Sequence, residues 1–272
     1  MMKVHRLLTV CLTVIASMGL AATARCQQQS TELTPAAGKV DEPTEKDTGK
    51  KTQGEPKEKS IRPGINEKFL NKNLDVSEWL GRFEIESREV YAQRDSVLKE
   101  CAIRPGSAVA DVGAGTGFYS RLFANAVGAD GQVYAVDIAP RFLQHISELS
   151  GKDGIRNLKT ILCSDRSVRL PVNSVDLVFV CDVYHHFEYP QSTLTSIHDA
   201  LRDGGAFIVI DFERIPGKSR EFILNHVRAG KTNFRTEIEA AGFSFEREVD
   251  IPGFEENYLL RFRKRPADDG GS

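Results

Sequence analysis

The feature of this sequence that most constrains its fold is the alternation of short apolar runs with helical patterns between residues 105 and 265. Strands that alternate with helices are typical of a mostly parallel sheet with helices on both faces. Two successive strands at the end of the region predict an antiparallel edge. The strands are predicted at Ser107–Val112, Gln132–Asp137, Leu158–Cys163, Val175–Cys181, Ala206–Ile210, Phe245–Ile251 and Asn257–Phe262. The pattern therefore predicts an α/β domain built on a seven-stranded sheet.

A glycine-rich loop follows the first of these strands, in the segment Asp111–Gly117. Gly113 permits a tight turn, Gly115 lets the backbone approach a ligand closely, and Gly117 allows the next helix to begin against the strand. In parallel α/β sheets the ligand binds beyond the carboxyl ends of the strands, where the strand order reverses. The loop therefore predicts a binding site for a nucleotide-like ligand at that edge.

Acidic residues at the ends of the strands narrow the choice of ligand. Asp111, directly before the glycines, suits a cationic group better than a pyrophosphate. Asp137, about 20 residues past the loop, can accept hydrogen bonds from both hydroxyls of a ribose, with a helix cap as the alternative. Asp165 can accept from an adenine amino group, with a simple turn aspartate as the alternative. A dinucleotide-binding G-x-G-x-x-G loop needs glycine where Phe118 stands, which argues against a nicotinamide oxidoreductase.

Five segments together resemble the class I S-adenosylmethionine-dependent methyltransferases, a Rossmann-like family: Asp111–Gly117, Val133–Asp137, Cys163–Asp165, Leu170–Asp182 and Leu201–Gly205. The resemblance covers about Pro105 to Arg263 and is greatest to the ubiquinone/menaquinone-biosynthesis-like group. It implies a seven-stranded sheet with one antiparallel strand, S-adenosyl-L-methionine as cofactor, and methyl transfer to an unspecified acceptor. The residues expected to bind the cofactor are Asp111, Gly113, Gly115, Gly117, Asp137, Ile138, Asp165 and Asp182.

The acceptor side of the site is predicted just after the fourth strand, where Tyr184, His185 and His186 are the candidate catalytic residues. Methyl transfer from a sulfonium is an in-line displacement, so the protein mainly positions the nucleophile and excludes water. One histidine is expected to act as a general base or to contact the acceptor, and packing of the loop is the alternative. Adjacent histidines also raise metal binding. Because neighbouring side chains point in different directions and the sequence shows no third ligand, no metal site is predicted.

Other residues are placed near the site by their position alone. Three residues of the segment before the sheet are hypothesised to form a lid over the cofactor: Glu84, Arg88 and Tyr91. Four residues after the fifth strand complete the acceptor pocket in one interpretation and are solvated or structural charges in the other: Glu213, Arg214, His226 and Arg228.

The N-terminal residues predict export. Residues 1–24 combine Lys3 and Arg6, an uncharged apolar core from Leu7 to Leu20, and a small-residue cleavage site at Ala22–Ala24. An uncleaved membrane anchor is the alternative, and membrane contact is expected only through this leader. Residues 25–65, rich in polar residues and proline, predict a disordered linker. Residues 66–104 predict a helical extension with helices at Asp75–Phe83 and Glu86–Cys101, residues 105–265 the main domain, and residues 266–272 a disordered tail.

The composition of the chain restricts the classes of binding partner that are expected. The formal net charge of −2 gives no basic excess, so no nucleic-acid partner is expected and a small-molecule acceptor is favoured. The five cysteines form no CxxC pair, and burial is predicted for Cys101, Cys163 and Cys181. A non-catalytic module that binds S-adenosylmethionine or another nucleotide stays open as the alternative to an active methyltransferase. Export conflicts with a cofactor that is made in the cytoplasm, unless the cofactor reaches the outside, the leader does not export this chain, or the exported protein has another function.

Overall fold

The sheet has seven strands in the computed structural model, which describes residues 58–265. The strands are β1 (Ala108–Val112), β2 (Gln132–Asp137), β3 (Leu158–Leu162), β4 (Val175–Cys181), β5 (Leu201–Phe212), β6 (Phe243–Val249) and β7 (Asn257–Lys264). Their order across the sheet is β3-β2-β1-β4-β5-β7-β6. Strands β1 to β5 pair in parallel, whereas β7 is antiparallel to both β5 and β6. The α/β class, the Rossmann-like seven-stranded sheet and its single antiparallel strand are confirmed.

The last two strands form the predicted antiparallel edge of the sheet. Strand β7 lies between β5 and β6, and β6 is the edge strand. Seven of the eight residues of β7 are buried, so the strand is covered on both faces like a central one. The edge strand β6 instead carries three exposed residues in a row.

The helices are α1 (Val76–Phe83), α2 (Glu89–Ala92), α3 (Arg94–Cys101), α4 (Phe118–Val127), α5 (Pro140–Lys152), α6 (Pro190–Ala200), α7 (Glu221–His226) and α8 (Lys231–Ala240). A short 3₁₀ turn spans Tyr184–His186. The second helix predicted for the N-terminal extension is divided into α2 and α3, because Gln93 leaves the helical conformation with φ −95° and ψ 20°. Helix α5 begins with a proline at its first turn, where the missing N–H costs nothing. Within residues 58–265, no helix is long and apolar enough to cross a membrane.

The strand order reverses between β1 and β4. From β1 the chain proceeds outward through β2 and β3, and then returns to place β4 on the other side of β1. Strand β4 reads as an almost continuous apolar run because helices cover both faces of the sheet there. The loops after β1 and β4 therefore leave the sheet in opposite directions, and the cleft between them is the place where ligands of such sheets bind.

The N-terminal extension packs beside this cleft. Leu74 and Phe142 form a small buried cluster with the partly buried rings of Phe69, Trp79 and Phe83. Phe142 belongs to α5, so the cluster joins the extension to the helix that follows β2. The extension is therefore attached to the main domain by aromatic packing.

Residues 58–65 differ from the linker that the sequence predicts for them. The Glu58 carboxylate accepts hydrogen bonds from the N–H groups of Gln191 and Ser192 at 2.9 and 2.8 Å, at the N-terminus of α6. The N–H of Ile61 donates to the carbonyl of Glu188 at 2.9 Å. A carboxylate at a helix N-terminus satisfies otherwise unpaired N–H groups, so these residues contact the folded domain. The predicted leader at residues 1–24, most of the linker and the predicted tail at 266–272 lie outside the described residues.

Candidate active site

The glycine loop after β1 packs closely against neighbouring side chains at the cleft. Gly113 has φ +76°, and a Cβ atom placed on it would lie 2.4 Å from a methyl group of Val183. Gly115 has φ +54° and faces the Phe83 ring, 3.4 Å from a hypothetical Cβ. Gly117 has φ +80° and precedes α4, where a Cβ would meet Ile146 at 2.6 Å. Gly113 and Gly115 line the cavity of the cleft, whereas Gly117 is required by packing and does not line it.

Asp137, at the end of β2, is tied to the glycine loop. Its carboxylate accepts hydrogen bonds from the N–H of Gly115 and from the N–H of Ala139, both at 2.8 Å. Ala139 is the N-cap residue of α5, so the Asp137 carboxylate also contacts the start of that helix, as the helix-cap alternative expects. Two oxygens offer about four lone-pair positions, so accepting capacity is left for a ligand. Burial raises the pKa of Asp137 to about 6.

Asp111 is the buried carboxylate on the other side of the loop. The Ser120 hydroxyl donates to it at 2.6 Å. Burial raises the pKa of Asp111 to about 7, because no cation among residues 58–265 lies close enough to offset the loss of water. A carboxylate that is buried at the wall of a cavity and lacks a counter-ion is suited to receive a cationic ligand group.

Asp165 and Asp182 occupy different environments at the same edge. Asp165 is exposed and lines the cavity, and its backbone carbonyl accepts from the Thr193 hydroxyl at 3.3 Å. Asp182 also lines the cavity, but its carboxylate forms an ion pair with Arg88 and accepts from the Asn257 amide at 2.7 Å. Asp182 therefore anchors the N-terminal extension to the end of β4, and its oxygens are less free for a ligand than the sequence implies.

Tyr184 is misplaced by the sequence analysis. Its ring is fully buried between Phe187 and Phe234, and its hydroxyl donates to Glu237 at 3.0 Å. It does not line the cavity. Successive side chains of the 3₁₀ turn point in different directions, so Tyr184 enters the core while the next two residues face the cleft. Tyr184 is a packing residue.

His185 and His186 do line the cavity, and each has one ring nitrogen fixed by an oxygen. The Nδ1 of His185 lies 2.8 Å from Asp211, whose other oxygen accepts from the His185 backbone N–H at 3.1 Å. The Nδ1 of His186 lies 3.2 Å from the side-chain oxygen of Asn66. Both rings are thereby held with Nε2 as the remaining nitrogen.

A third histidine completes this group. The Nε2 of His226, at the end of α7, lies 3.2 Å from the Nε2 of His186. One nitrogen from each of His185, His186 and His226 lies within 4.8 Å of the others. Burial lowers the pKa of His226 to about 4 and strongly lowers that of His186, so both rings are neutral near pH 7. The sequence analysis identified no third candidate ligand, and the structure places His226 beside the pair at the end of α7.

The remaining position-based candidates are divided by the structure. Arg88 lines the cavity, whereas Glu84 pairs with Arg121 at 3.1 Å outside the lining, and Tyr91 packs against Phe118. The residues after β5 other than His226 are structural: Glu213 pairs with Lys231, Arg214 donates to backbone carbonyls, and Arg228 pairs with Glu237. Cys101 is buried as predicted, while Cys163 and Cys181 are half-buried and line the cavity.

These groups line one cavity of about 460 Å³ between the glycine loop, the end of β4 and the N-terminal extension. The two buried acids, Asp111 and Asp137, lie at the loop side, and the three histidines lie beyond β4. Aromatic rings of the extension, including Trp79 and Phe83, form another part of the wall. The cavity thus joins a nucleotide-type loop to a histidine cluster.

Comparison with known proteins identifies a methyltransferase domain in this chain. A family model described as a methyltransferase domain matches residues 110–209, from β1 into β5. The ubiquinone/menaquinone biosynthesis C-methyltransferase UbiE of Cupriavidus taiwanensis is 27% identical over 122 residues, which are 43% of this chain and 48% of that protein.

A methyltransferase domain therefore spans residues 110–209 of this chain.

Solved structures share the fold of this chain. A SAM-dependent methyltransferase from Aquifex aeolicus superposes with a TM-score of 0.61 at 24% identity, covering 70% of this chain and 98% of that one. A protein from Bordetella parapertussis described as a "possible exported protein" superposes with a TM-score of 0.52 at 16% identity, covering 66% and 68%. The chain spans about half the length of the curated relatives that it matches.

The residues of the cleft fit the cofactor of this family. A hypothetical Cβ on Gly113 would collide with Val183, so glycine at this position lets the loop pack directly against the chain that follows β4. Asp111 supplies a buried carboxylate that has no cation beside it in the described part of the chain, which is complementary to an amino group. Asp137 supplies accepting oxygens where β2 ends. The volume of about 460 Å³ lies within the usual range for small-molecule sites.

Proposed function

We propose that this chain transfers the methyl group of S-adenosylmethionine to a small-molecule acceptor. The observation that carries the proposal is the hydrogen bond at 2.8 Å from the Gly115 N–H to the Asp137 carboxylate, which joins the glycine loop to the end of the neighbouring strand. This contact pre-organises the two elements that a nucleoside ligand would need to touch together. Preorganised polar groups bind without paying the cost of reorganisation at the moment of binding.

In this proposal the two buried acids hold opposite ends of the cofactor. Asp137 accepts from the ribose hydroxyls, and Ile138 packs beside them. Asp111 and the N–H groups of the loop hold the methionine end, whose amino group is cationic. Asp165 accepts from the adenine amino group at the exposed end of the cavity. When bound, the cofactor supplies a methyl group on a positively charged sulfur, which needs no further activation by the protein.

The acceptor side is formed by His185 and His186. Their Nε2 atoms are the nitrogens left after Asp211 and Asn66 have engaged Nδ1. They offer lone pairs that can hold a proton or a cation next to the nucleophilic atom of the acceptor. The rings of Trp79 and Phe83 line the cavity, and an apolar wall that limits the access of water would favour transfer to the acceptor over hydrolysis. The size of the cavity, about 460 Å³, and its mainly apolar lining favour a small molecule over nucleic acid.

We also propose that the protein is exported through its leader. The leader pattern of residues 1–24 supports this, and the Bordetella parapertussis protein with the same fold carries the description "possible exported protein". Fractionation followed by N-terminal sequencing tests the proposal. A mature N-terminus near residue 25 in the exported fraction supports it, and a full-length chain confined to the cytoplasm overturns it.

The test of methyl transfer is acceptor-dependent formation of S-adenosylhomocysteine by the full chain. The panel should contain hydroxyl, thiol, amine and enol acceptors, and the matched variants are Asp137→Asn and Tyr184→Phe. We expect turnover with at least one acceptor, its loss in Asp137→Asn, and its retention in Tyr184→Phe, since Tyr184 lies in the core. A chain that binds S-adenosylhomocysteine but turns over no acceptor would instead be a non-catalytic binding module.

A further inference from the structure

The histidine cluster has the arrangement of a metal site. We infer that His185, His186 and His226 bind one divalent transition-metal ion, with zinc as the reference ion, on the acceptor side of the cavity. The spacing of the histidines in the sequence does not indicate this site, because His226 is separated from His186 by 40 residues.

The hydrogen-bond partners of the histidine rings determine which ring nitrogen carries the proton. The Asn66 amide nitrogen donates to the His186 carbonyl at 3.0 Å and lies 3.4 Å from the Glu188 carboxylate, so the amide oxygen is the atom that faces the Nδ1 of His186. That oxygen only accepts, so Nδ1 carries the proton and Nε2 has a free lone pair. Asp211 imposes the same tautomer on His185. The free Nε2 lone pairs of His185 and His186 therefore point away from Asp211 and Asn66.

The distances fit a common ligand. The Nε2 atoms of His186 and His226 are 3.2 Å apart. Two nitrogens bound to one tetrahedral zinc ion at about 2.0–2.1 Å are about 3.3–3.4 Å apart. The three ring nitrogens lie within 4.8 Å of one another, so small side-chain rotations bring all of them to one ion.

The outer contacts are those of metal-binding histidines. Such histidines almost always donate their second ring nitrogen to a carboxylate or a carbonyl oxygen, which fixes the ring and raises its basicity. His185 has the Asp211 carboxylate in this role, and both residues are buried. His186 has the buried Asn66 amide oxygen. The Phe222 ring stacks on His226 at 5.1 Å and limits its rotation.

Three protein ligands leave a coordination position open, as in catalytic rather than structural zinc sites. All three histidines line the cavity, so the open position faces the space for the acceptor. An acceptor with a hydroxyl, enol or thiol group would bind there and lose its proton to water more readily, because a bound cation lowers the pKa of its ligand. This assignment of the acceptor class rests on the proposed methyl transfer, whereas the metal site itself does not.

The test is zinc binding by the full chain after treatment with a chelator. We expect one Zn²⁺ per chain by calorimetry, visible absorption of four- or five-coordinate type with Co²⁺, and binding weakened at least 100-fold in His186→Gln and in His226→Gln. Asn66→Ala should weaken binding about tenfold or more, through the lost outer contact. His198→Gln is the matched control, because His198 lies on α6 against Phe243 and outside the cluster. Circular dichroism should show that each variant is folded.

Absence of stoichiometric zinc binding, or equal affinity in His226→Gln and the unaltered chain, would overturn the inference and leave a plain N–H···N hydrogen bond between His186 and His226. S-adenosylhomocysteine titrated into metal-free and zinc-loaded protein separates the two proposals. Zinc binding without S-adenosylhomocysteine binding would overturn the proposed function and support the metal site. S-adenosylhomocysteine binding without zinc binding would overturn the metal site and support the proposed function.

Discussion

Arg88 of the N-terminal extension forms an ion pair with Asp182 at the carboxyl end of β4. The Asp182 side chain is only 8% exposed and that of Arg88 23%, so the pair is largely removed from water. Asn257 at the start of β7 donates to the same carboxylate at 2.7 Å. The extension, β4 and β7 are thus joined at one point beside the cavity, and the wall that the extension forms depends on it.

Removal of the Arg88 charge should therefore destabilise the fold. In Arg88→Met we expect a loss of about 3 kcal/mol in the free energy of unfolding at pH 8, because an unpaired buried carboxylate remains. The double variant Arg88→Met/Asp182→Asn should recover most of that loss. Urea denaturation measures both, with Arg247→Met, which removes an exposed ion pair with Glu100, as the control. Equal stability of Arg88→Met and the control would contradict the role of the pair.

The glycine loop gives a prediction with a matched control. Gly113→Ala forces both a strained φ of +76° and a contact of 2.4 Å with Val183, so we expect at least tenfold weaker binding of S-adenosylhomocysteine and a lower melting temperature. Gly217→Ala places the same residue at φ +78° with nothing within 4 Å, which isolates the backbone strain. Calorimetry and thermal melts should show a clearly larger effect at position 113. Equal effects at the two glycines would show that the close approach at Gly113 has no importance.

Asp111 is predicted to lower the stability of the fold at high pH and to strengthen binding of the cofactor. Its pKa of about 7 lies above the usual value of an aspartate because of burial, so its favourable contribution is present at low pH and is lost as the pH rises through 7. Asp111→Asn should therefore be roughly 2–4 kcal/mol more stable than the unaltered chain at pH 8, with a smaller difference at pH 5. The same variant should bind S-adenosylhomocysteine at least tenfold more weakly. Asp130→Asn, at an exposed turn, is the control for both measurements.

Binding of the cofactor should depend on pH with a known sign. Burial raises the pKa of Asp137 to about 6 and that of Asp111 to about 7, so both carboxylates are protonated at pH 5 and ionised at pH 8. Only the ionised forms attract a cationic amino group and accept fully from ribose hydroxyls. We expect affinity for S-adenosylmethionine to rise at least tenfold between pH 5 and pH 8, measured by calorimetry in a mixed buffer. Affinity that is flat over this range would contradict a role for these two acids.

The parts of the site that are contiguous in sequence could be predicted from the sequence. Asp111, the glycine loop and Asp137 lie on two neighbouring strands joined by one helix, so strand pattern and spacing place them together. The strand order was less accessible, because the pairing of β7 with β5 depends on contacts across about 50 residues of chain. Local periodicity carries no information on such pairings.

The parts that the sequence missed depend on long-range packing. Arg88 meets Asp182 across 94 residues, and Asn66 meets His186 across 120. The sequence analysis placed Tyr184 among the candidate catalytic residues because the amino-acid sequence does not show the direction of each side chain in a 3₁₀ turn. His226 was noticed by position, but its approach to His186 follows from where α7 lies in the fold.

The measurement that tests the central proposal most directly is calorimetric titration of the full chain with S-adenosylhomocysteine and, separately, with NAD. We expect one site per chain for S-adenosylhomocysteine, binding at least tenfold weaker in Gly113→Ala, and no detectable binding of NAD. Failure to bind S-adenosylhomocysteine, or binding of NAD with comparable affinity at the same site, would contradict the assignment of this cleft to S-adenosylmethionine.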